Sequence, residues 1–312
     1  MRLVFMGTSQ FAVPSLRNLI LAGYDIPLVV TQPDRPAQRG RKLTPPPVKL
    51  LAEEFELPLI QPESIRTPEF AQAIKRTEPQ VIVVVSYGKI LPGNILKIPP
   101  LGCINVHGSL LPAYRGAAPI QRALMAGEKT VGVTTMYMDE TMDTGDIILQ
   151  RAIDLTGDED YGETMLRLSD IGADLLLETL EQVEWGVNPR IPQDHSRATY
   201  APPLTAEDEL IKWEMKSQHI RDQIRGLSPE PGAYTWLNGE KLKIFKAQTV
   251  ETEAAGQPGE VVRLIPNKGF VVKAGEGALL VLEVQRAGKR RISAADFLRG
   301  SRLREGDRLG GC

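Results

Sequence analysis

The sequence predicts an α/β protein: a doubly wound, mostly parallel sheet over residues 1–188, a linker over 189–206, and a smaller β-barrel of OB type over 207–312. Three observations carry this reading. The chain opens as strand, helix, strand, with apolar runs over 2–6 and 26–31 around a helical pattern over 11–21, which is the rhythm of a parallel sheet. The run Val81-Ile82-Val83-Val84-Val85 is continuously β-branched, as a strand covered on both faces requires. Past residue 206 the pattern changes to short alternating segments divided by turns, which points to a small antiparallel barrel.

Composition sets the outer limits. Hydrophobic residues make up 42% and charged residues 24% of the chain, the balance of an ordinary globular protein. No apolar run reaches the roughly 18–20 residues that span a bilayer. The first residues run directly into a strand, without the charged, apolar and cleavage regions of a leader. Cys103 and Cys312 lie far apart, so no disulfide framework is implied. The expectation is a reduced, cytoplasmic monomer with no membrane contact. Residues 1–206 carry 19 Lys+Arg against 24 Asp+Glu, a net −5, whereas 207–312 carry 18 against 15, a net +3. The basic excess of the second half suits either a nucleic-acid surface or a solvated mixed face.

In chain order, the first strand ends in Gly7-Thr8-Ser9-Gln10. This is not the G-x-G-x-x-G of dinucleotide sites, which excludes a nicotinamide cofactor on that pattern. Between the strand over 26–31 and a helix over 48–55 lies a loop in which Arg35, Arg39, Arg41 and Lys42 face one acid, Asp34. Gly40 and the prolines around it keep it from becoming a helix. The loop is either a solvated connection or an electropositive arm for phosphates and base edges. A short strand over 59–61 and a helix over 69–76 lead to the strand over 81–85, followed by Ser86-Tyr87-Gly88-Lys89-Ile90-Leu91-Pro92, a connection or a ligand-lining segment.

The stretch from Cys103 to Pro119 carries the chemistry. A strand over 104–106 places Asn105 and His107 on one face, then opens into a loop punctuated by Gly108, Pro112, Gly116 and Pro119. An Asn-x-His can simply finish a strand. Here a strand over 131–138 ends in a polar turn, Met138 to Asp146, holding Asp139 and Asp143. Asn, His and Asp on two strand ends supply an amide donor for an oxyanion, a proton acceptor and a carboxylate to orient it. A helix over 119–126, a strand over 147–153 and an amphipathic helix over 161–184 complete the first domain, the two later strands reading as antiparallel edge additions. His195 and His219 have no companions at catalytic or metal spacing, and no His/Cys/Asp cluster has ligand spacing.

The second domain is expected to begin with a helix holding Trp213 and His219. Strands over 233–237, 242–249, 259–264, 269–273 and 278–285 follow, and the arginines from Arg299 to Arg308 read as a solvated tail.

Asn105-Val106-His107-Gly108-Ser109-Leu110-Leu111-Pro112, with Tyr114-Arg115-Gly116-Ala117-Ala118-Pro119 and Met142-Asp143-Thr144-Gly145-Asp146, resembles the folate-dependent formyltransferases. The likeness runs from Val4-Phe5-Met6-Gly7-Thr8 into the C-terminal domain. It implies the formyltransferase fold, 10-formyltetrahydrofolate as formyl donor, no metal, and, in the tRNA-specific branch, initiator methionyl-tRNA as acceptor in translation initiation. By the resemblance Asn105, His107 and Asp143 are catalytic, their division of proton and oxyanion work left open. Ser86, Tyr87, Gly88, Leu91, Ser109, Leu110, Leu111, Pro112 and Asp139 would form the folate site. Arg35, Arg39, Arg41 and Lys42, with Arg39 central, and Lys289, Arg290 and Arg291 would meet tRNA. Pro203 departs from the family, which usually has Lys there. Three rivals stay open: a small-amine formyltransferase, a hydrolase releasing formate, and a non-catalytic tRNA-binding module.

Overall fold

The computed structural model describes residues 1–36, 43–252 and 254–310, and the chain divides into two units. The first holds Met1–Pro119, Thr130–Asp154 and Met165–Pro202; the second holds Ile120–Lys129, Leu155–Thr164 and the chain from Pro203 on.

Seven strands form the sheet of the first unit: β1 (Arg2–Gly7), β2 (Asp25–Val30), β3 (Leu59–Ile60), β4 (Val81–Val85), β5 (Cys103–His107), β6 (Thr130–Tyr137) and β7 (Ile147–Asp154). Their order is β3-β2-β1-β4-β5-β6-β7. The first five run parallel, while β6 and β7 add antiparallel to the edge, as expected. The order reverses between β1 and β4, which opens a crevice at their C-terminal ends. β4 is apolar throughout and buried, and β1 is apolar and buried after its exposed first residue, Arg2.

The helices in this part of the chain are α1 (Val13–Leu21), α2 (Pro47–Glu54), α3 (Pro68–Arg76), α4 (Gly93–Leu96), α5 (Pro119–Met125) and α6 (Tyr161–Trp185). Several open on a proline, whose missing N–H costs nothing in a first turn. Thr67 caps α3 by accepting from the Phe70 N–H at 3.2 Å, and Asp160 and Glu163 cap α6 reciprocally. Gly172 brings α6 close to the sheet: a Cβ there would lie 3.0 Å from a Val106 methyl, so a larger residue would push helix and sheet apart.

The second unit adds α7 (Ala206–Glu209), α8 (Ser217–Gly226), α9 (Ala294–Gly300) and an antiparallel sheet of β8 (Ala233–Leu237), β9 (Glu240–Val250), β10 (Val261–Ile265), β11 (Gly269–Lys273), β12 (Ala278–Arg286) and β13 (Ile292–Ser293). The order is β8-β9-β12-β11-β10, with β13 on β12. Asn238 and Gly239, at φ of 50° and 76°, make the tight β8–β9 turn that favours this dipeptide. Its core gathers Trp213, Ile244, Phe270, Val281 and Phe297.

Two expectations are corrected here. Trp213 precedes the helix, which starts at Ser217; buried, it donates from Nε1 to Thr235 Oγ1 at 2.9 Å, a partner the helix would take out of reach. Residues 303–310 are not a solvated tail. The Leu309 N–H donates to Gly259 O (2.7 Å), Val261 N–H to Asp307 O (2.8 Å) and Gly310 N–H to Trp236 O (2.9 Å). The segment therefore occupies both exposed edges, β8 and β10, with Leu303 and Leu309 buried beneath it. It satisfies the backbone groups an open edge would leave free. Among the described residues no helix is long and apolar enough to cross a membrane.

A fork in the second unit gives a stability test. Arg122 donates to both oxygens of Asp208, at 2.6 and 2.8 Å, and Thr205 donates from its N–H and hydroxyl. The Arg122 guanidinium, first, and the Thr205 donors hold the Asp208 carboxyl down at about 2, from an ordinary 3.8. A lowered carboxyl contributes stability that is fully present above its ordinary value and is lost as pH falls through the lowered one. Asp208→Asn should cost about 1–2 kcal/mol at pH 7. In urea unfolding at about pH 3 the gap to wild type should narrow.

Candidate active site

The ends of β1, β2 and β4 meet at the crevice. Ser9 and Ser86 share a hydroxyl–hydroxyl bond of 2.7 Å, and Thr8 Oγ1 and Gln32 Nε2 donate to the Tyr87 carbonyl at 3.2 and 3.1 Å. The chain leaves β4 sharply, Ser86 and Gly88 taking φ of 47° and 81°. Ser86 and Gly88 stand at the surface. The side chains of Tyr87 and Leu91 instead fill the core. Burial pushes the Tyr87 hydroxyl up to about 12.

Beside them, β5 carries Asn105 between Val84 of β4 and Met136 of β6. Asn105 Nδ2 donates to Val84 O at 3.1 Å. Its Oδ1 is buried with no partner among the described residues. One amide N–H is thus spent on anchoring, and an N–H and a carbonyl oxygen remain for a ligand. His107, two residues on and 7% exposed, faces an oxygen with each ring nitrogen. Nε2 lies 3.0 Å from Tyr114 O, which accepts only, so Nε2 carries the proton there. Nδ1 lies 3.8 Å from Asp143 Oδ2. Asp143 turns back to reach it with φ of 55°, and Oδ2 also accepts from the Gly116 N–H at 2.8 Å. The structure therefore brings Asn105, His107 and Asp143 together.

Two loops build this arrangement. In the loop after β5, buried Ser109 bonds Ala113 O at 2.6 Å, and Leu110, Leu111 and Pro112 follow. Thr134 Oγ1 on β6 donates to Ser109 O (2.6 Å) and accepts from Leu111 N and Gln150 Nε2 (3.1 and 2.9 Å). In the loop after β6, exposed Asp139 accepts from Thr141 N (2.9 Å) and the hydroxyl of Thr144 (2.7 Å), so it organises the turn that presents Asp143.

Residues 191–201, read from sequence as linker, strap both loops. Ile191 pairs with Ile147 (2.9 and 3.0 Å), Thr199 bonds Tyr114 N and Arg115 N (2.8 and 2.9 Å), and Tyr200–Ala201 pairs in parallel with Arg115–Gly116. Arg115, 3% exposed, has no carboxylate partner among the described residues. It donates from Nε and Nη2 to Gln193 Oε1 (3.1 and 2.6 Å) and from Nη1 to His195 Nδ1 (3.2 Å). His195, expected to be a bystander, serves there as an acceptor. No local spacing marks Gln193, Thr134 and Thr199, and the motif that contains Arg115 gives no sign of its partners. A glutamine in an irregular stretch gives no signal until its partners are known.

The cations divide. Arg35 stands at the surface, on a two-residue antiparallel pair, Arg35–Pro36 with Leu43–Thr44. Arg39, Arg41 and Lys42 lie outside the described residues. In the second unit Lys289 and Arg290 are exposed. Arg291 pairs with Glu283 and stacks 4.5 Å from the Phe245 ring centre.

With the geometry in hand, known proteins place the chain. The family model described as formyl transferase matches residues 1–180, and that of the formyl transferase C-terminal domain matches 203–302. A protein of Pelotomaculum thermopropionicum named methionyl-tRNA formyltransferase is 52% identical over 99% of both chains. In fold, the chain resembles the N-formyltransferase of Helicobacter canadensis, solved with folinic acid and dTDP-3-aminofucose, at a TM-score of 0.68 and 18% identity over 92% of this chain and 99% of that one. It also resembles the methionyl-tRNA formyltransferase of Clostridium thermocellum, at a TM-score of 0.55 and 20% identity over 80% and 94%. On both family models and on a full-length relative at this identity, the chain belongs to the formyl transferase family.

Proposed function

We propose that this chain transfers the formyl group of 10-formyltetrahydrofolate to the free amino group of initiator methionyl-tRNA. The observation that carries the reading is the meeting of an anchored Asn105 amide, with its buried unpartnered oxygen, and a His107 imidazole facing the Asp143 carboxylate at 3.8 Å. Full-length relatives bearing the name methionyl-tRNA formyltransferase support the acceptor. The folinic acid complex of a protein of like fold supports a formylated folate as donor.

The free Asn105 groups fit the reaction at two points. The remaining N–H suits the oxyanion that forms when an amine attacks the formyl carbon, and Oδ1 suits an N–H of the attacking amine. The new C–N bond forms while the C–N10 bond breaks, so one proton must leave the amine and one must reach N10. His107, steadied through Nε2 by the Tyr114 carbonyl, presents Nδ1 and Asp143 for that exchange. Residues 1–188 would carry this chemistry, and 207–312, through Lys289, Arg290 and Arg291, would join Arg35, Arg39, Arg41 and Lys42 in holding tRNA. The strap over 189–206 would connect them.

Formyl transfer to charged initiator tRNA tests the reading. Asn105→Ala should lose about 10²–10³ in kcat, and His107→Ala about 10²–10⁴. Arg39→Ala should raise KM for tRNA in a salt-dependent way and leave KM for folate unchanged. Formyl passed to water or a small amine, with none on tRNA, would overturn the acceptor. Gly145→Ala offers a separate check on the loop: its Cβ would overlap the Tyr137 carbonyl. The shift this forces on Asp143 should cost about 10²-fold in kcat.

A further inference from the structure

The Gln193 side chain is 6% exposed, and every hydrogen-bonding position of its amide is used. Oε1 accepts twice from Arg115, at 3.1 and 2.6 Å, and Nε2 donates to the carbonyls of Asp143 (3.0 Å) and Gly145 (2.8 Å). The same nitrogen lies 4.0 Å from the sulfur of Met136, the residue opposite Asn105. One amide thus joins the loop after β5, through Arg115, to the turn that carries Asp143.

Arg115 is buried without a carboxylate, and a glutamate at 193 would neutralise it. A glutamate, however, would turn a carboxylate oxygen towards two carbonyl oxygens, where the amide now offers two N–H donors. What glutamine supplies and glutamate cannot is the grip on the Asp143 turn. We propose that Gln193 is a positioning residue for formyl transfer, holding Asp143 in register with His107 from behind; the inference rests on the reading of the site given above. It touches none of the reacting groups. It acts by fixing a carboxylate that stands 3.8 Å from the imidazole, a separation at which small displacements change alignment and charge interaction together.

Gln193→Glu and Gln193→Ala separate the two roles. Both are compared with wild type by thermal unfolding, by kcat and KM for tRNA and folate, by the kcat–pH profile, and by the His107 ring resonances in NMR, assigned with His195→Gln and His219→Gln. Gln193→Glu should unfold at or above the temperature of Gln193→Ala, because it keeps the Arg115 contact. It should nevertheless lose about 10- to 100-fold in kcat, with both KM values within about twofold of wild type. Its kcat–pH profile should depart from that of wild type, because the carboxylate facing His107 is displaced. The His107 resonances should shift in both variants without any substrate. A wild-type kcat and profile in Gln193→Glu, or losses that simply follow unfolding temperature across the two variants, would overturn the proposal. So would unmoved His107 resonances, and that measurement stands even if wild type transfers no formyl to tRNA, the result that would instead overturn the reading of the acceptor.

Discussion

The arrangement at Asn105, His107 and Asp143 depends on how two irregular loops are kept in register with one strand. Asn105 and His107 inherit their positions from β5, which is held on one side by β4 and on the other by β6. Asp143 has no such support. Its backbone sits in the left-handed region, a conformation a non-glycine residue keeps only when its surroundings hold it there. Three contacts supply that hold: the Gly116 N–H on its carboxylate, the Gln193 amide on its carbonyl, and the Asp139 cap at the start of its turn. Sites built on loops need this kind of support to stay within the fraction of an ångström that proton transfer requires.

The strap over 191–201 is what makes these contacts compatible. It pairs with β7 at Ile147, crosses beneath the Asp143 turn at Gln193, and returns to pair with Arg115–Gly116. Apart from the Arg115 side chain, these contacts use backbone groups on the loops and β7. Elsewhere in the chain buried or half-buried arginines take carboxylates, Arg122 with Asp208 and Arg225 with Asp222. Arg115 takes an amide and an imidazole instead. A carboxylate at that point would sit close behind Asp143, and the like charge would disturb the one acid that faces His107.

The regular elements were legible because their residues repeat with the period of the structure they form. The continuous apolar run of β4, the turn at Asn238-Gly239 and the proline that opens α5 are local signals with local causes. The cluster of Asn105, His107 and Asp143 was legible for a related reason: three chemically distinctive side chains at two strand ends. What stayed hidden has its cause far away in the chain. The pairing of residues 307–310 with both edges of the second sheet uses N–H and carbonyl groups that every residue carries. The Arg115–Gln193 bond spans 78 residues. Trp213 left the expected helix because its indole N–H finds a buried threonine on β8, a choice made by tertiary packing over propensity.

The basic segment after β2 begins at an acid that the structure holds in place. Between 34 and 42 the sequence offers one acid, Asp34, to four cations. Lys49 binds both its oxygens, at 3.0 and 2.8 Å, and Gln61 donates to it at 2.7 Å. Gln61, first, and Lys49 hold the Asp34 carboxyl below its ordinary range, so it stays charged at neutral pH and stays committed at the root. Among the described residues Asp34 is thus committed to Lys49 and Gln61. The antiparallel pair of Arg35–Pro36 with Leu43–Thr44 fixes where the chain leaves and rejoins the described structure. Under the proposed function the Asn105 site would supply the chemistry for an amine, and the basic segment would select a nucleic acid as the bearer of that amine.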